Sequence, residues 1–289
     1  MISGTAALWK CFLIQVTMQP MKTSRISTRS ASTPVALTIA GSDPSGGAGI
    51  QADLKTFFRF GVYGASVISL VTVQNTQRVS RVFVLSESLV GQQLEAVLED
   101  LPPAAAKTGA LGSRAIICMV ARRAAAMNCP LVLDPVMISK HGASLMERSA
   151  RHAFIERLLP CAFLVTPNLH EAEALSGLRY RGAGSLERMA VRLRTLGAAA
   201  VLIKGGHGRG ALSNDFFLDE DGELVLKARR LVTRHTHGTG CTLSAAITAF
   251  LAKGRPLRVA VRDAKSYVTR AIGTSPGFGK GAGPLNHFA

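Results

Sequence analysis

Short apolar segments alternate with helical stretches along the chain from residue 35 onward. The apolar segments are rich in aliphatic and β-branched residues and are bounded by Gly, Pro and polar residues, as strands are. The predicted strands are residues 35–40, 65–73, 104–107, 131–134, 163–166 and 200–204, with Gly41 ending the first of them. Strands that alternate with helices form parallel pairs, since each parallel connection needs a crossover. The pattern therefore predicts an α/β fold with a mostly parallel sheet.

Helices are expected between these strands. The clearest are residues 50–60, 89–98, 242–251 and 257–272, and a polar hairpin is expected at residues 211–218 and 223–228. No long linker or internal repeat interrupts the pattern, which predicts one domain over residues 35–289. Ligands of such sheets bind beyond the carboxyl ends of the strands. The residues that follow each strand are therefore the candidates for a site.

Residues 1–34 differ from the rest of the chain because they contain no acidic residue and are basic and rich in Ser and Thr. Three interpretations compete: a targeting leader, a disordered extension, or an overlong start, since Met18 and Met21 lie inside the segment. A leader is disfavoured because no basic region precedes the apolar stretch and no small-residue cleavage site follows it. We expect a disordered extension or an overlong start.

Composition narrows the class of protein. Hydrophobic residues make up 47% and charged residues 18%, which is typical of a globular chain. The net charge of +16 attracts anions. However, the basic residues are scattered and aromatic residues make up only 6%, so we expect no nucleic-acid partner. No apolar stretch approaches the roughly 18 residues that span a bilayer, so we expect no membrane partner. The five cysteines form no CxxC pair, which favours a cytoplasmic location over a disulfide framework or zinc site.

A glycine-rich segment, GSDPSGGAG at residues 41–49, joins the first strand to the first helix. It matches neither the GxGxxG fingerprint of dinucleotide-binding folds nor the GxxxxGK[ST] loop of P-loop proteins. The segment is either a tight strand-to-helix turn or a place where the backbone approaches a ligand closely. The spacing alone does not choose between the two.

Three further strand ends carry polar side chains. Gln74 ends the second strand, and its carboxamide is able to pair with an aminopyrimidine edge or to belong to a turn. Asp134 follows a later strand, and Asn168 and Glu171 follow the next. Their oxygen atoms suit Mg²⁺, which prefers oxygen ligands. Asn168 is equally well placed to cap the helix that begins after it.

The segment THGTGC at residues 236–241 opens a long apolar helix. Successive glycines leave backbone N–H groups free at the positive end of that helix, which makes an anion site. Such donors are able to hold the charge that develops on a transferred phosphoryl group. Cys241 lies at this terminus, where the pKa of a thiol tends to fall. The alternative is a buried structural cysteine.

In their order and spacing, the segments AGSDPSGGAGIQADLKTF, VQNT, LDPVM, TPNLHEA, IKGGH and HGTGCTLSAA resemble the hydroxymethylpyrimidine/phosphomethylpyrimidine kinases of thiamine biosynthesis, within the ribokinase-like superfamily. The resemblance extends from about residue 36 to 288. It implies a three-layer fold, with a central mostly parallel sheet flanked by helices and with Mg²⁺ and ATP bound along one sheet edge. It also implies two successive phosphorylations, of 4-amino-5-hydroxymethyl-2-methylpyrimidine and of its monophosphate, by a homodimer.

The resemblance also implies a role for each matching residue. The implied substrate-binding residues are Gln74, Asp53, Gly41 and Val136, the ATP-binding residues are Lys204, Asn168 and Thr239, the metal-binding residues are Glu171 and Asp134, and the catalytic residues are Cys241, Gly238 and Gly240. Most ribokinase-like kinases have an Asp base where this chain has Cys241. A thiol of pKa about 8.5 is scarcely ionised at pH 7. Our hypothesis is that Cys241 accepts the hydroxyl proton while the helix end stabilises its thiolate.

Two positions depart from the family pattern. Ala110 stands where a methionine is common, which changes the expected shape of the pocket. His141 stands where a serine is usual, near the place where the monophosphate is expected. The nearest alternative is a pyridoxal kinase of the same superfamily. A nicotinamide-dependent oxidoreductase is a more distant one, because the fingerprint is lacking, and a basic binding module is the third.

Overall fold

The computed structural model describes residues 33–207 and 210–289. The predicted extension at residues 1–34 lies almost wholly outside the described residues. In the part of the chain that the structure describes, nine strands form one sheet. They are β1 (Val35–Ser42), β2 (Tyr63–Gln74), β3 (Val79–Val84), β4 (Ala105–Thr108), β5 (Leu131–Leu133), β6 (Leu164–Val165), β7 (Val201–Ile203), β8 (Asp215–Asp219) and β9 (Gly222–Leu226).

Eight α-helices accompany the sheet within the same described ranges. They are α1 (Gly49–Arg59), α2 (Glu87–Asp100), α3 (Arg114–Ala124), α4 (Arg148–Ala153), α5 (Leu169–Ser176), α6 (Ala183–Thr195), α7 (Thr239–Ala252) and α8 (Leu257–Gly273). A π-helical turn (Phe154–Leu158) and a 3₁₀ turn (Leu159–Cys161) extend α4, and a second 3₁₀ turn (Gly205–His207) follows β7. None of the described helices is both long and apolar enough to cross a membrane.

The strand order is β3-β2-β1-β4-β5-β6-β7-β8-β9. The six strands from β2 to β7 in this order pair in parallel, whereas β3, β8 and β9 pair antiparallel. The prediction of a mostly parallel sheet is confirmed. The carboxyl ends of the parallel strands all meet one edge of the sheet, which we call the carboxyl edge.

Helices cover both faces of the sheet because its central strands are apolar on both sides. In β1, Leu37 and Ile39 belong to one core, which α2, α3, α5 and α6 cover. Ala36 points to the other core, which α1, α7 and α8 cover. Helix α7 is buried at every position from Thr242 to Ala252, since it lies between the sheet and α8. These are the three layers that the family resemblance implied.

The structure corrects the predictions in one missing strand and two boundaries. Strand β3 was not predicted, although Asn75 accepts hydrogen bonds from the N–H groups of Gln77 and Arg78 and so builds the turn before it. Strand β1 continues through Gly41 to Ser42, with an irregular register. Helix α7 begins at Thr239 rather than residue 242, directly after Gly238, whose φ of 79° is left-handed.

Candidate active site

The carboxyl edge collects side chains from strands that are distant in sequence. Gln74 ends β2, and Gly41 lies near the end of β1. Asp134 follows β5, Asn168 follows β6, and Lys204 follows β7. The backbone N–H of Lys204 donates to the carbonyl of Pro167, which ties the last two strand ends together. The structure therefore brings the predicted polar strand ends to one side of the sheet.

The glycine-rich segment packs directly on the start of α7. A Cβ at Gly238 would overlap the carbonyl oxygen of Gly47, and the φ of Gly238 also favours glycine. A Cβ at Gly49 would likewise overlap the carbonyl oxygen of Gly41. These close backbone approaches are the reason that both segments need glycine. The first turn of α7 has no side-chain cap, as a helix start that binds an anion requires.

A lysine and two carboxylates lie beneath that helix end. Lys204 Nζ is 2.8 Å from Asp134 Oδ1 and 3.8 Å from Glu171 Oε2. A Cβ built on Gly240 would lie 3.2 Å from Lys204 Nζ, so the lysine sits against the first turn of α7. Burial raises the pKa of Glu171 to about 7, with Asp134 adding to the rise and Lys204 opposing it. Burial lowers the pKa of Lys204, but Asp134 and Glu171 outweigh it and hold that pKa above its usual value.

Asn168 and Glu171 form a capping box at the start of α5. Asn168 Oδ1 accepts from the N–H of Glu171 at 2.9 Å, and Glu171 Oε2 accepts from the N–H of Asn168 at 2.7 Å. The capping interpretation of Asn168 is confirmed. Glu171 serves two partners, because the oxygen that caps the helix also faces Lys204.

Among the described residues, no group of three or more His, Cys, Asp and Glu side chains is placed to hold a metal ion. Asp134 and Glu171 nevertheless offer carboxylate oxygens on either side of Lys204. This donor set fits Mg²⁺, which keeps several water ligands and needs only one or two carboxylates.

A second lysine–carboxylate pair lies deeper, below the glycine-rich segment. Lys107 Nζ is 2.8 Å from Asp53 Oδ2, and neither side chain is exposed to solvent. Thr38 Oγ1 donates to the same oxygen at 2.7 Å, while Asp53 Oδ1 has no partner among the described residues. Burial raises the pKa of Asp53, with Lys107 opposing the rise. Sequence reasoning missed Lys107, although a lysine within an apolar predicted strand was a usable signal.

Gln74 contacts a histidine that the sequence reasoning also missed. Its carboxamide lies 3.0 Å from Nε2 of His237, the residue directly before Gly238. The same ring nitrogen lies 2.7 Å from Asp43 Oδ2, in the glycine-rich segment. His237 is only 3% exposed. Gln74 and the start of α7 therefore lie on the same side of the molecule and are joined by one buried side chain.

The pKa of the Cys241 thiol is shifted in the direction opposite to the one expected. Burial raises its pKa to about 12, Asp53 and Asp134 add to the rise, and Lys107 opposes it. The expected lowering at a helix N-terminus was wrong in direction. A helix end contributes roughly 0.3–1 kcal/mol, which is less than the cost of burying a charge. The thiol is neutral at physiological pH in the free protein.

The remaining predicted positions lie at the same edge with less distinctive contacts. Val136 follows β5, and its N–H donates to the carbonyl of Asp134. The hydroxyl of Thr239 donates to the carbonyl of Thr236 at 2.8 Å. Ala110 is buried, and its carbonyl accepts from Ser69 Oγ. The ring of His141 lies 6.2 Å from that of His237, centroid to centroid.

Comparison with known proteins identifies the class to which this fold and edge belong. The phosphomethylpyrimidine kinase family model matches residues 43–286. A hydroxymethylpyrimidine/phosphomethylpyrimidine kinase of Synechococcus elongatus is 47% identical over 256 residues, which cover 88% of this chain and 97% of that protein. A phosphomethylpyrimidine kinase of Clostridium difficile superposes with a TM-score of 0.74 at 42% identity, covering 83% of this chain and 100% of that one.

A solved structure of the neighbouring branch is also similar. The pyridoxal kinase from Staphylococcus aureus in complex with AMP-PCP and pyridoxal superposes with a TM-score of 0.82 at 36% identity, covering 89% of this chain and 95% of that one. The fold and the edge define a ribokinase-like kinase, and hence a phosphotransferase. Within that class, the chain belongs to the phosphomethylpyrimidine kinase family.

Proposed function

We propose that the protein transfers the γ-phosphoryl group of ATP to the hydroxymethyl group of 4-amino-5-hydroxymethyl-2-methylpyrimidine, and then to the resulting monophosphate, in thiamine biosynthesis. The observation that carries the proposal is the contact from Gln74 through His237 to the start of α7. An amide able to pair with an aminopyrimidine would thereby lie beside the proposed anion site. The relatives named above support this substrate over pyridoxal.

The start of α7 is the proposed site of the transferred phosphoryl group. The substrate oxygen attacks the γ-phosphorus, and the bond to the β-phosphate oxygen breaks. N–H groups near Gly238 and Gly240 stabilise the charge that develops on the phosphoryl oxygens. Removing one such preorganised donor typically costs on the order of 100- to 1000-fold in rate.

Cys241 is proposed to align the substrate hydroxyl. Because burial raises the pKa of its thiol to about 12, prior ionisation to a thiolate is disfavoured in the free protein. The sulfur instead accepts a hydrogen bond from the hydroxyl, and the hydroxyl proton passes late in the transfer to an oxygen of the transferred phosphoryl group. Phosphoryl transfer tolerates this because its transition state is loose and depends mainly on positioning and charge neutralisation.

We propose that Lys204, Asn168 and Thr239 line the ATP site and that Asp134 and Glu171 hold Mg²⁺ through water. Lys204 carries the strongest support, since its ammonium lies directly below Gly240. The metal, when bound, would neutralise charge on the phosphates. Gly41, Asp53 and Val136 are proposed to enclose the pyrimidine ring beside Gln74. Asp53 is proposed to support the wall of this pocket from below, since its side chain is unexposed and paired with Lys107.

A homodimer is proposed from an apolar surface at the edge of the sheet formed by β2 and β3. Val71 and Phe83 are opposite each other in β2 and β3, and Val73 lies on the same face. Their exposed fractions are 41%, 64% and 57% respectively. Light scattering should give a dimer mass for the wild type and a monomer mass for Phe83→Glu.

We also propose a cytoplasmic location, because the four described cysteines are free thiols.

The proposed reaction is tested by incubating the protein with Mg-ATP and either hydroxymethylpyrimidine or pyridoxal, with products identified by mass spectrometry. We expect the pyrimidine mono- and diphosphates to form with a higher kcat/KM than pyridoxal phosphate. Formation of pyridoxal phosphate alone would overturn the proposal in favour of a pyridoxal kinase.

A further inference from the structure

The carboxamide of Gln74 lies between two polar neighbours that together specify its orientation. In the structure its Nε2 is 3.0 Å from His237 Nε2, and its Oε1 is 3.4 Å from Thr72 Oγ1. A carboxamide has nearly the same shape when its two ends are exchanged, so hydrogen-bond chemistry decides which end faces which neighbour.

Asp43 decides where the proton of His237 lies. The Asp43 carboxylate accepts hydrogen bonds from the N–H groups of Ser45 and Ala48, each at 2.9 Å, and from the Ser45 hydroxyl at 2.7 Å. A carboxylate surrounded by donors is an acceptor only, so the ring nitrogen 2.7 Å from it must carry a proton. The other ring nitrogen, Nδ1, is buried without a partner among the described residues. A buried unpaired lone pair is less costly than a buried unpaired N–H, which again places the proton on Nε2.

The contact with Thr72, at the opposite end of the Gln74 amide, favours the same orientation. The Thr72 hydroxyl donates to the carbonyl of Ser42 at 3.0 Å, so its oxygen is left only as an acceptor toward Gln74. His237 therefore needs a carbonyl oxygen opposite it, and Thr72 needs an NH₂ group. Exchanging the two ends of the amide removes the donor–donor contact with His237, lets the amide oxygen share the Nε2 proton with Asp43 in a bifurcated hydrogen bond, and lets the NH₂ group donate to Thr72.

We propose that Asp43 and His237 are positioning residues that hold the Gln74 amide in one orientation, with its oxygen toward His237, and thereby select an amine-bearing substrate ring. This inference rests on the proposed function. With each end of the amide engaged once, the oxygen keeps one lone pair and the nitrogen keeps one N–H for a ligand.

The two candidate substrates differ in the order of donors and acceptors along the ring edge. Beside its hydroxymethyl group the pyrimidine carries an amine, a donor, followed by a ring nitrogen, an acceptor. Pyridoxal carries an aldehyde, an acceptor, followed by a hydroxyl, a donor. An amide that rotates freely is able to match both orders, whereas a locked amide matches one. The Asp43–His237 pair thus supplies discrimination that Gln74 alone lacks.

The test compares kcat/KM for hydroxymethylpyrimidine and for pyridoxal in the wild type and in His237→Leu, His237→Gln and Asp43→Asn. In His237→Leu we expect KM for the pyrimidine to rise on the order of 10- to 100-fold, as expected for a lost buried hydrogen bond. We expect kcat and KM for ATP to change much less, and the preference for the pyrimidine to fall about tenfold. His237→Gln keeps a donor near the Nε2 position and should retain most of the preference, while Asp43→Asn should lose it. The control is His152→Gln, an exposed histidine on α4.

Equal losses for both substrates in His237→Leu, or an equal rise in KM for ATP, would overturn the proposal by placing His237 in the anion site alone. Wild-type protein that fails to phosphorylate the pyrimidine would instead contradict the proposed function. ¹⁵N NMR of the wild type requires no variant to fold. It should show His237 protonated on Nε2 and unprotonated on Nδ1, and the reverse pattern would also overturn the proposal.

Discussion

Two lysine–aspartate ion pairs with the same N–O distance lie in different regions of this molecule. Asp53 and Lys107 are sealed under α1, with neither side chain exposed. Asp134 and Lys204 lie at the carboxyl edge, where Lys204 retains 14% of its side-chain exposure and faces the first turn of α7. Both pairs have an N–O distance of 2.8 Å. The N–O distance of an ion pair therefore does not distinguish the two roles. Whether a third charged group is able to reach the pair does distinguish them.

In the sealed pair each charge depends on the other. Replacing one partner leaves an uncompensated buried charge, which is costlier than the pair itself is favourable. In the edge pair, an arriving phosphate is able to compete for the lysine. The sealed region should therefore govern stability, and the edge region should govern catalysis.

The largest expected effect is on stability, in Lys107→Met. We expect the free energy of unfolding to fall by about 3–5 kcal/mol, because Asp53 is left buried and charged. Urea denaturation measures this loss. Adding Asp53→Asn should restore part of the loss, and Arg255→Met at the exposed Arg255–Asp263 pair should cost less than about 1 kcal/mol. A loss below that of the exposed control would contradict the sealed-pair account.

Lys204→Met should lower kcat on the order of 100- to 1000-fold, since it removes a charge beneath the proposed phosphoryl site. The matched control is Lys265→Met, because the Lys265–Asp215 pair has the same 2.8 Å distance and the same 14% lysine exposure. The two variants should lose similar stability, and only Lys204→Met should lose activity. Equal kcat values for the Lys204→Met and Lys265→Met variants would contradict a catalytic role for the Asp134–Lys204 pair.

Cys241→Ala should lower kcat about 100-fold by misplacing the substrate hydroxyl. Steady-state kinetics with saturating Mg-ATP measures this change. The pH profile of the wild type should show no essential thiolate ionising near pH 7, since burial raises the thiol pKa to about 12. Full activity in Cys241→Ala would remove the residue from the mechanism.

The smallest expected effect is a pH dependence of stability from a buried histidine, His287, which contacts Thr242 of α7. Burial lowers the pKa of His287 to about 4, so between its usual pKa of 6.5 and that value the unfolded chain binds a proton that the folded protein does not. Stability should therefore fall as pH falls below about 6.5, by about 2 kcal/mol at pH 5. Thermal unfolding of His287→Gln should lack this component. An identical pH dependence in both proteins would contradict the assignment.

The sequence predicted the architecture because periodicity and turn residues act locally. Buried strands such as β1 and β5 were found from their apolar runs, and the glycine-rich segment before α7 was recognised, although the helix was predicted to begin three residues too late. Strand β3 was missed because it is an edge strand with mixed polar and apolar positions. Its turn signal at Asn75 was present in the sequence.

The site was only partly predictable from the sequence. Gln74 and Asp134 were found because they lie at the ends of predicted strands, whereas Lys204 was named only through the family resemblance, which also supplied the roles of the other two. The contact between Asp43 and His237 joins residues 194 positions apart, and no local pattern announces it. The pKa of Cys241 was predicted in the wrong direction because the helix end is visible in sequence, whereas burial and the nearby Asp53 are products of the tertiary fold.

A crystal structure with hydroxymethylpyrimidine, Mg²⁺ and a non-hydrolysable ATP analogue would test the proposed site directly. We expect the γ-phosphate against the first-turn N–H groups of α7, the ring edge paired with Gln74, and Lys204 turned toward the phosphates. A γ-phosphate bound away from α7, or a ring that does not touch Gln74, would rule out the proposed site.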